Sequence, residues 1–275
     1  MTHKGVTFTE VLTAAVRDMT LHGFDDIARL HEWLRRIRYA AMASAPADNQ
    51  IDTAVSAAMR AAFTRAVNPK RLEVMQQGLQ TFHVNQIKPQ LRQELDRRIL
   101  ASANLIKLNR DQAIEKTLQR FSGWATSIPA GGSRVVDKPE TKAEIAKPVR
   151  GIPFEVRRVN IDQGHKLFAA VNETIATQTG AIAAMWRSHG RHDKHYDARP
   201  EHLKRDGQIY AIRNSWAMQR GLVNKGIGYV DEIERVGEMP FCRCWYVYLH
   251  NLRDLPESML TARGKFALNE TRVAA

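Results

Sequence analysis

Apolar residues recur at helical spacing from the first turns of the chain. Phe8, Val11, Leu12, Ala15, Val16 and Met19 fall on one face behind a T-x-x-E capping box made by Thr7 and Glu10. A second helix is expected from Asp25 or Asp26, with Ile27, Leu30, Leu34 and Ile37 on one stripe and Arg35, Arg36 and Arg38 beside it. The stretch Ser44 to Gln50 breaks this pattern, and Ala54 to Ala66 resumes it as an alanine-rich helix. Asn68 before Pro69 is a cap followed by a proline at the first helical position. Pro89 is expected to start a longer helix with Leu91, Leu95, Ile99 and either Ala103 or Ile106 on its core face. A separate helix near Arg110 to Ser122 carries Ile114, Leu118 and Phe121.

The pattern then changes. Between Ser127 and Pro153 prolines and glycines are scattered among charges, which predicts an exposed connector and a domain boundary. Phe154 to Val159 alternates like a strand, and Asn160 with Gln163 offers a capping box for a helix bearing Leu167, Val171 and Ile175. Ala181 to Trp186 fits a strand or a helix end equally well. Cys242 to Leu249 alternates as a strand, and the sequence from Leu255 onward reads as a tail. The expected fold class is therefore α+β: an all-helical docking module over residues 1–126, a linker over 127–153, a small α+β module with an antiparallel sheet over 154–254, and a tail over 255–275.

Composition narrows the partners. Forty-one Lys and Arg against twenty-nine Asp and Glu give the 275 residues a net charge of +12, which favours capture of a polyanion, nucleic acid first. No apolar run reaches the length of about 18 residues that a membrane span needs, so no membrane partner is expected. The two cysteines are separated by one residue, too close for an unstrained bridge, and reduced thiols are expected. If Arg35, Arg36, Arg38, Arg97 and Arg98 bind DNA or a partner, contact should be sequence-independent and salt-dependent; the plainer reading makes them solvated helix faces.

Chemistry concentrates in the last third. Both cysteines, four of the ten histidines and three of the five tryptophans lie between Trp186 and Leu249, a stretch that runs Trp186, Ser188, Asp193, then A-R-P-E-H-L-K-R-D-G from Ala198 to Gly207, then P-F-C-R-C from Pro240 to Cys244. Across roughly residues 155 to 250 this order resembles the head-morphogenesis domain of tailed bacteriophages, the Mu F-like minor head proteins. The resemblance implies a virion component present in few copies at the portal vertex or capsid interior, oligomeric within the particle and made in the host cytoplasm. It would contact portal or other head proteins and packaged DNA, with no settled enzymatic activity. Relatives of that kind place a histidine ahead of the cysteines in an H-P-x-C-R-C pattern, and here Glu238, Met239, Pro240 and Phe241 supply none.

Two readings of the cysteines stay open. Cys242, Cys244 and His202, with one more group from His189, His192, His195 or Asp193, have the ligand types of a structural zinc site. Alternatively both thiols are small apolar residues on the inner face of a strand, the reading favoured by the short ligand count, and no cofactor is then needed. Arg199 and His202, three apart behind Pro200, share one face of a helix, and Asp206 with Gly207 ends its turn. They serve either a phosphate or metal, or a network tying the loop to the sheet with Ser188 and Asp193; the network is favoured, because buried polar groups need partners. Trp186, Trp216, Trp245, Tyr246 and Tyr248 are expected in a core or interface. Ser188, His202 and Asp193 have the residue types of a hydrolase triad without a nucleophile elbow, and the histidines with Asp193 and Asp197 give thin support for a metal-dependent nuclease, the alternative to binding and assembly.

Overall fold

Thr7 Oγ1 accepts the Glu10 N–H while the Glu10 carboxylate accepts the Thr7 N–H, and this reciprocal cap starts α1 (Phe8–His22) where the sequence pattern places it. In a computed structural model that describes residues 6–79, 81–189 and 199–273, there follow α2 (Ile27–Ser44), α3 (Asp48–Ala66), α4 (Pro69–Met75), β1 (Gln76–Gln77), α5 (Thr81–Thr126), α6 (Pro139–Arg150) and α7 (Ile152–Gln178). The remainder comprises β2 (Ala183–Arg187), α8 (Pro200–Lys204), β3 (Ile209–Ala211), α9 (Trp216–Gln219), β4 (Trp245–Leu249) and α10 (Ala262–Val273), with short 3-10 turns among them. The chain forms two compact units, one from Met1–Val55 and Ala101–Val159, the other from Ser56–Leu100 and Asn160–Ala275. Helices α3, α5 and α7 each contribute residues to both.

The first unit is helical. Its core joins Phe8, Val11, Leu12, Ala15, Val16 and Met19 of α1 to Leu30, Ile37, Ala40 and Ala41 of α2, to Ile114, Leu118, Phe121 and Ala125 of α5, and to Ile145, Ala146 and Val149 of α6. The last set corrects the expected linker. Seven glycines and prolines among charges resemble a connector, but Pro139 sits at the first turn of α6, where its missing N–H costs nothing, and Ile145, Ala146 and Val149 present one buried stripe. The division of the chain consequently does not follow residues 1–126, 127–153 and 154–254. Ile145 is 3% exposed, so Ile145→Ala is expected to cost about 2–5 kcal/mol, read by urea denaturation. A segment that merely connects would register no change.

Three further expectations about elements are corrected. Phe154 to Val159 forms the start of α7, not a strand, and Asn160 and Gln163 lie inside that helix; a six-residue window of apolar and polar residues fits both periods when a helix begins within it. Pro89 lies within α5 instead of opening it. Ile87, Leu91 and Leu95, spaced by four, are all buried, and this continuous face outweighs the single backbone hydrogen bond that a proline removes. The expected helix at Arg110 to Ser122 belongs to the same α5.

The second unit holds the sheet, in order β1-β4-β2-β3. Strand β2 is antiparallel to both β3 and β4, with Ala184 opposite Tyr248 and Trp186 opposite Tyr246, while β1 runs parallel to β4, so the sheet is mixed. Alternation sorts its side chains into two buried layers. Ala183, Ala211, Val247 and Leu249 join Leu222, Val223, Leu255, Met259 and Leu260 in an aliphatic layer. Ala184, Trp186, Tyr210, Tyr246 and Tyr248 join Cys242 and Cys244 in an aromatic one. Leu255, Met259 and Leu260 thus cover one face of the sheet, and α10 follows them, so residues from 255 onward are not a tail. Their small number of apolar residues obscured that role. Gln76 holds the short β1: its side chain donates to the Asn172 carbonyl at 3.0 Å and pairs with His250 at 3.1 Å. Among the described residues no helix is long and apolar enough to cross a membrane.

Candidate functional site

Trp186 in β2 anchors the aromatic layer with no exposed surface. Its ring meets His202 edge-on at 5.1 Å and Tyr246 at 5.5 Å, and the Arg205 guanidinium lies 5.2 Å from its centroid. Several residues of the segment Arg199 to Gly207 have a local reason. Pro200 opens α8 as expected, which turns His202 into the unit, where it is 1% exposed. Asp206 Oδ1 accepts the Ser188 N–H at 2.7 Å and so secures the end of β2. Gly207, at φ +77°, takes the left-handed turn that lets its N–H donate to the Trp186 carbonyl at 2.8 Å before β3 begins.

The cysteine segment meets α8 from the other side. Arg199 Nη2 donates to the Pro240 carbonyl at 3.0 Å. Phe241 adopts φ +61°, rare for a residue with a side chain, and its N–H donates to Asp162 Oδ1 at 2.6 Å. Asp162 is held in turn by Lys166 at 3.2 Å. The cysteines precede β4 instead of lying on it, since the strand begins at Trp245; the turn at Phe241 ends the alternation read from the sequence. Both sulfurs nevertheless enter the aromatic layer.

His202 Nδ1 lies 3.7 Å from Cys242 Sγ and 3.4 Å from Cys244 Sγ, and its Nε2 pairs with Glu234 Oε1. Glu234 is shared with Arg205 at 3.5 Å. A hydrogen bond between the thiols draws Cys242 down to about 5 against the opposing effect of burial, and the same bond together with burial pushes Cys244 up. The physical content is that the pair gives up its first proton readily and its second with difficulty; which sulfur carries the charge belongs to the pair. Burial, followed by the charge of Arg243, lowers the pKa of His165 below the usual imidazole value.

Of the residues singled out from sequence, Trp186, Ser188, Arg199, His202, Asp206, Gly207, Cys242 and Cys244 fall in this one region. Asp193, with His192, His195 and Asp197, lies outside the described residues. A hydrolase triad is not assembled, because both ring nitrogens of His202 face the sulfurs and Glu234 and neither pairs with Ser188. The arginines singled out for DNA or partner binding each have a partner within the chain. Arg35 pairs with Glu32, Arg36 stacks 4.4 Å over Trp33, Arg38 pairs with Glu115, and Arg97 and Arg98 share Glu94. Sequence reasoning missed Asp162, Arg205 and Glu234. Arg205 stands within the quoted motif beside Asp206, whereas Asp162 and Glu234 reach the site from distant segments and carry no spacing signal. No family model matches the chain, and no curated protein or solved structure matches it.

Proposed function

We propose that this chain is a structural component of a tailed-phage particle, of the Mu F-like head-morphogenesis kind, working by binding and assembly without turnover. One observation carries the reading. The separate sequence words that bear the resemblance pack as one motif: Arg199 is bonded to Pro240, His202 touches both cysteines and Trp186, and Asp206 secures Ser188. Side chains spent on each other in this way favour a rigid unit over a reactive one. A charge of +12 supports packaged DNA or an acidic portal surface as the partner.

Particles purified from the bacterium that carries the gene test this directly. Mass spectrometry of DNA-filled heads is expected to find the chain at a few copies per particle, and its retention on DNA is expected to be indifferent to sequence and to fall steeply with salt. Absence from the particles, with the protein left in the soluble lysate, overturns the reading.

A further inference from the structure

Three soft or borderline donors converge at a buried point: His202 Nδ1, Cys242 Sγ and Cys244 Sγ all lie within 4.8 Å of one another. Zinc bound by thiolate at about 2.3 Å and imidazole at about 2.0 Å with tetrahedral angles requires S···N edges of about 3.5 Å. The two S···N separations, 3.7 and 3.4 Å, straddle that edge. Two apolar thiols packed for volume alone would have no reason to aim at the same ring nitrogen.

The surroundings match a metal ligand set as well. In zinc sites the histidine nitrogen away from the ion donates to a carboxylate, which fixes the tautomer and turns the other lone pair to the metal. Here Glu234 occupies that place on Nε2, and Arg205 holds Glu234.

We propose that Cys242, Cys244 and His202 bind one zinc ion, with water at the fourth position and Glu234 as the carboxylate that positions His202. With both cysteines bound as thiolates, their two negative charges neutralise the ion, so the cluster of metal and sulfurs carries no net charge. The ion ties α8 to the segment ahead of β4, joining two parts of the unit that Arg199 otherwise links by one hydrogen bond to Pro240. Glu238 to Phe241 supply no imidazole, and among the described residues three protein ligands converge. This inference is independent of the assembly reading: a chain absent from phage particles could still carry the ion, and a chain present in them could lack it.

Full-length protein purified without chelator is expected to contain about one zinc per chain by elemental analysis. After metal removal, Co2+ titration should give thiolate-to-cobalt charge-transfer absorption and the strong visible bands of a tetrahedral site, both displaced by Zn2+. Glu234→Gln should weaken zinc affinity roughly 10- to 100-fold while keeping the cobalt spectrum, and Cys242→Ser or Cys244→Ser should lose the charge-transfer band. Failure of the wild-type chain to take up Zn2+ or Co2+ overturns the proposal even where a serine variant does not fold. Uptake that persists undiminished in both serine variants overturns it equally.

Discussion

Trp186→Ala is expected to cost about 3–5 kcal/mol of stability in the second unit and to lower its melting temperature by on the order of 10 °C. The indole is fully buried between β4 and α8, touching Tyr246 and His202 and lying under Arg205. Its removal leaves a void that the paired sheet and the hydrogen-bonded α8 segment cannot close, so the loss should include the cavity as well as the transfer of the ring. Trp216→Ala is the control. That ring is 37% exposed and its N–H donates to the Gly180 carbonyl at 3.1 Å, so its removal should cost about 1 kcal/mol. Denaturant unfolding followed by circular dichroism compares them. Equal losses would mean that Trp186 is not the anchor of the aromatic layer.

The second large effect is expected in the other unit, from Gly23→Ala. Gly23 ends α1 at φ +72°, and an added Cβ would lie 1.9 Å from the Pro129 carbonyl oxygen. Strain and overlap together should cost about 3 kcal/mol or more, because the overlap is with backbone and not with a side chain that can turn away. The contact is fixed by a small lattice of hydrogen bonds: Phe24 N–H to Ile128 O at 3.2 Å, Gly131 N–H to His22 O at 3.0 Å and Ser133 N–H to Thr20 O at 2.8 Å. Gly131→Ala separates the two contributions. Gly131 also has positive φ, at +88°, but open space where its Cβ would be, so only backbone strain of about 1–2 kcal/mol should appear. If the two variants unfold alike, the segment from 128 to 133 is not seated against α1.

What could be read from sequence was local and periodic. The cap at Thr7, the whole buried face of α1 and the helix behind Pro200 required only spacing rules, and the structure has all three. The α+β class followed from a helical front and a strand-like aromatic segment, and the sheet is there, though with one parallel pair. Failures arose where a short window was decided by distant partners. Ile145, Ala146 and Val149 look sparse until the faces of α1, α2 and α5 are in place to receive them. Leu255, Met259 and Leu260 look like a fading end until the aliphatic face of the sheet needs covering. At the site, residue types identified His202, Cys242 and Cys244, but nothing in their spacing announces Glu234 or Asp162, whose roles exist only after the chain has folded.

Each compact unit draws on two separated stretches of chain, the second stretch of one following the first stretch of the other. During synthesis, α1 and α2 leave the ribosome well before α6, so their apolar faces wait for partners more than a hundred residues downstream. Residues 56–100 wait longer still, until the strands of the sheet have been made. Long-range closure of this kind is slow and leaves sticky intermediates. A nascent chain with this order of parts keeps apolar faces uncovered for longer than one whose units each come from a single stretch, which raises its exposure to aggregation before closure.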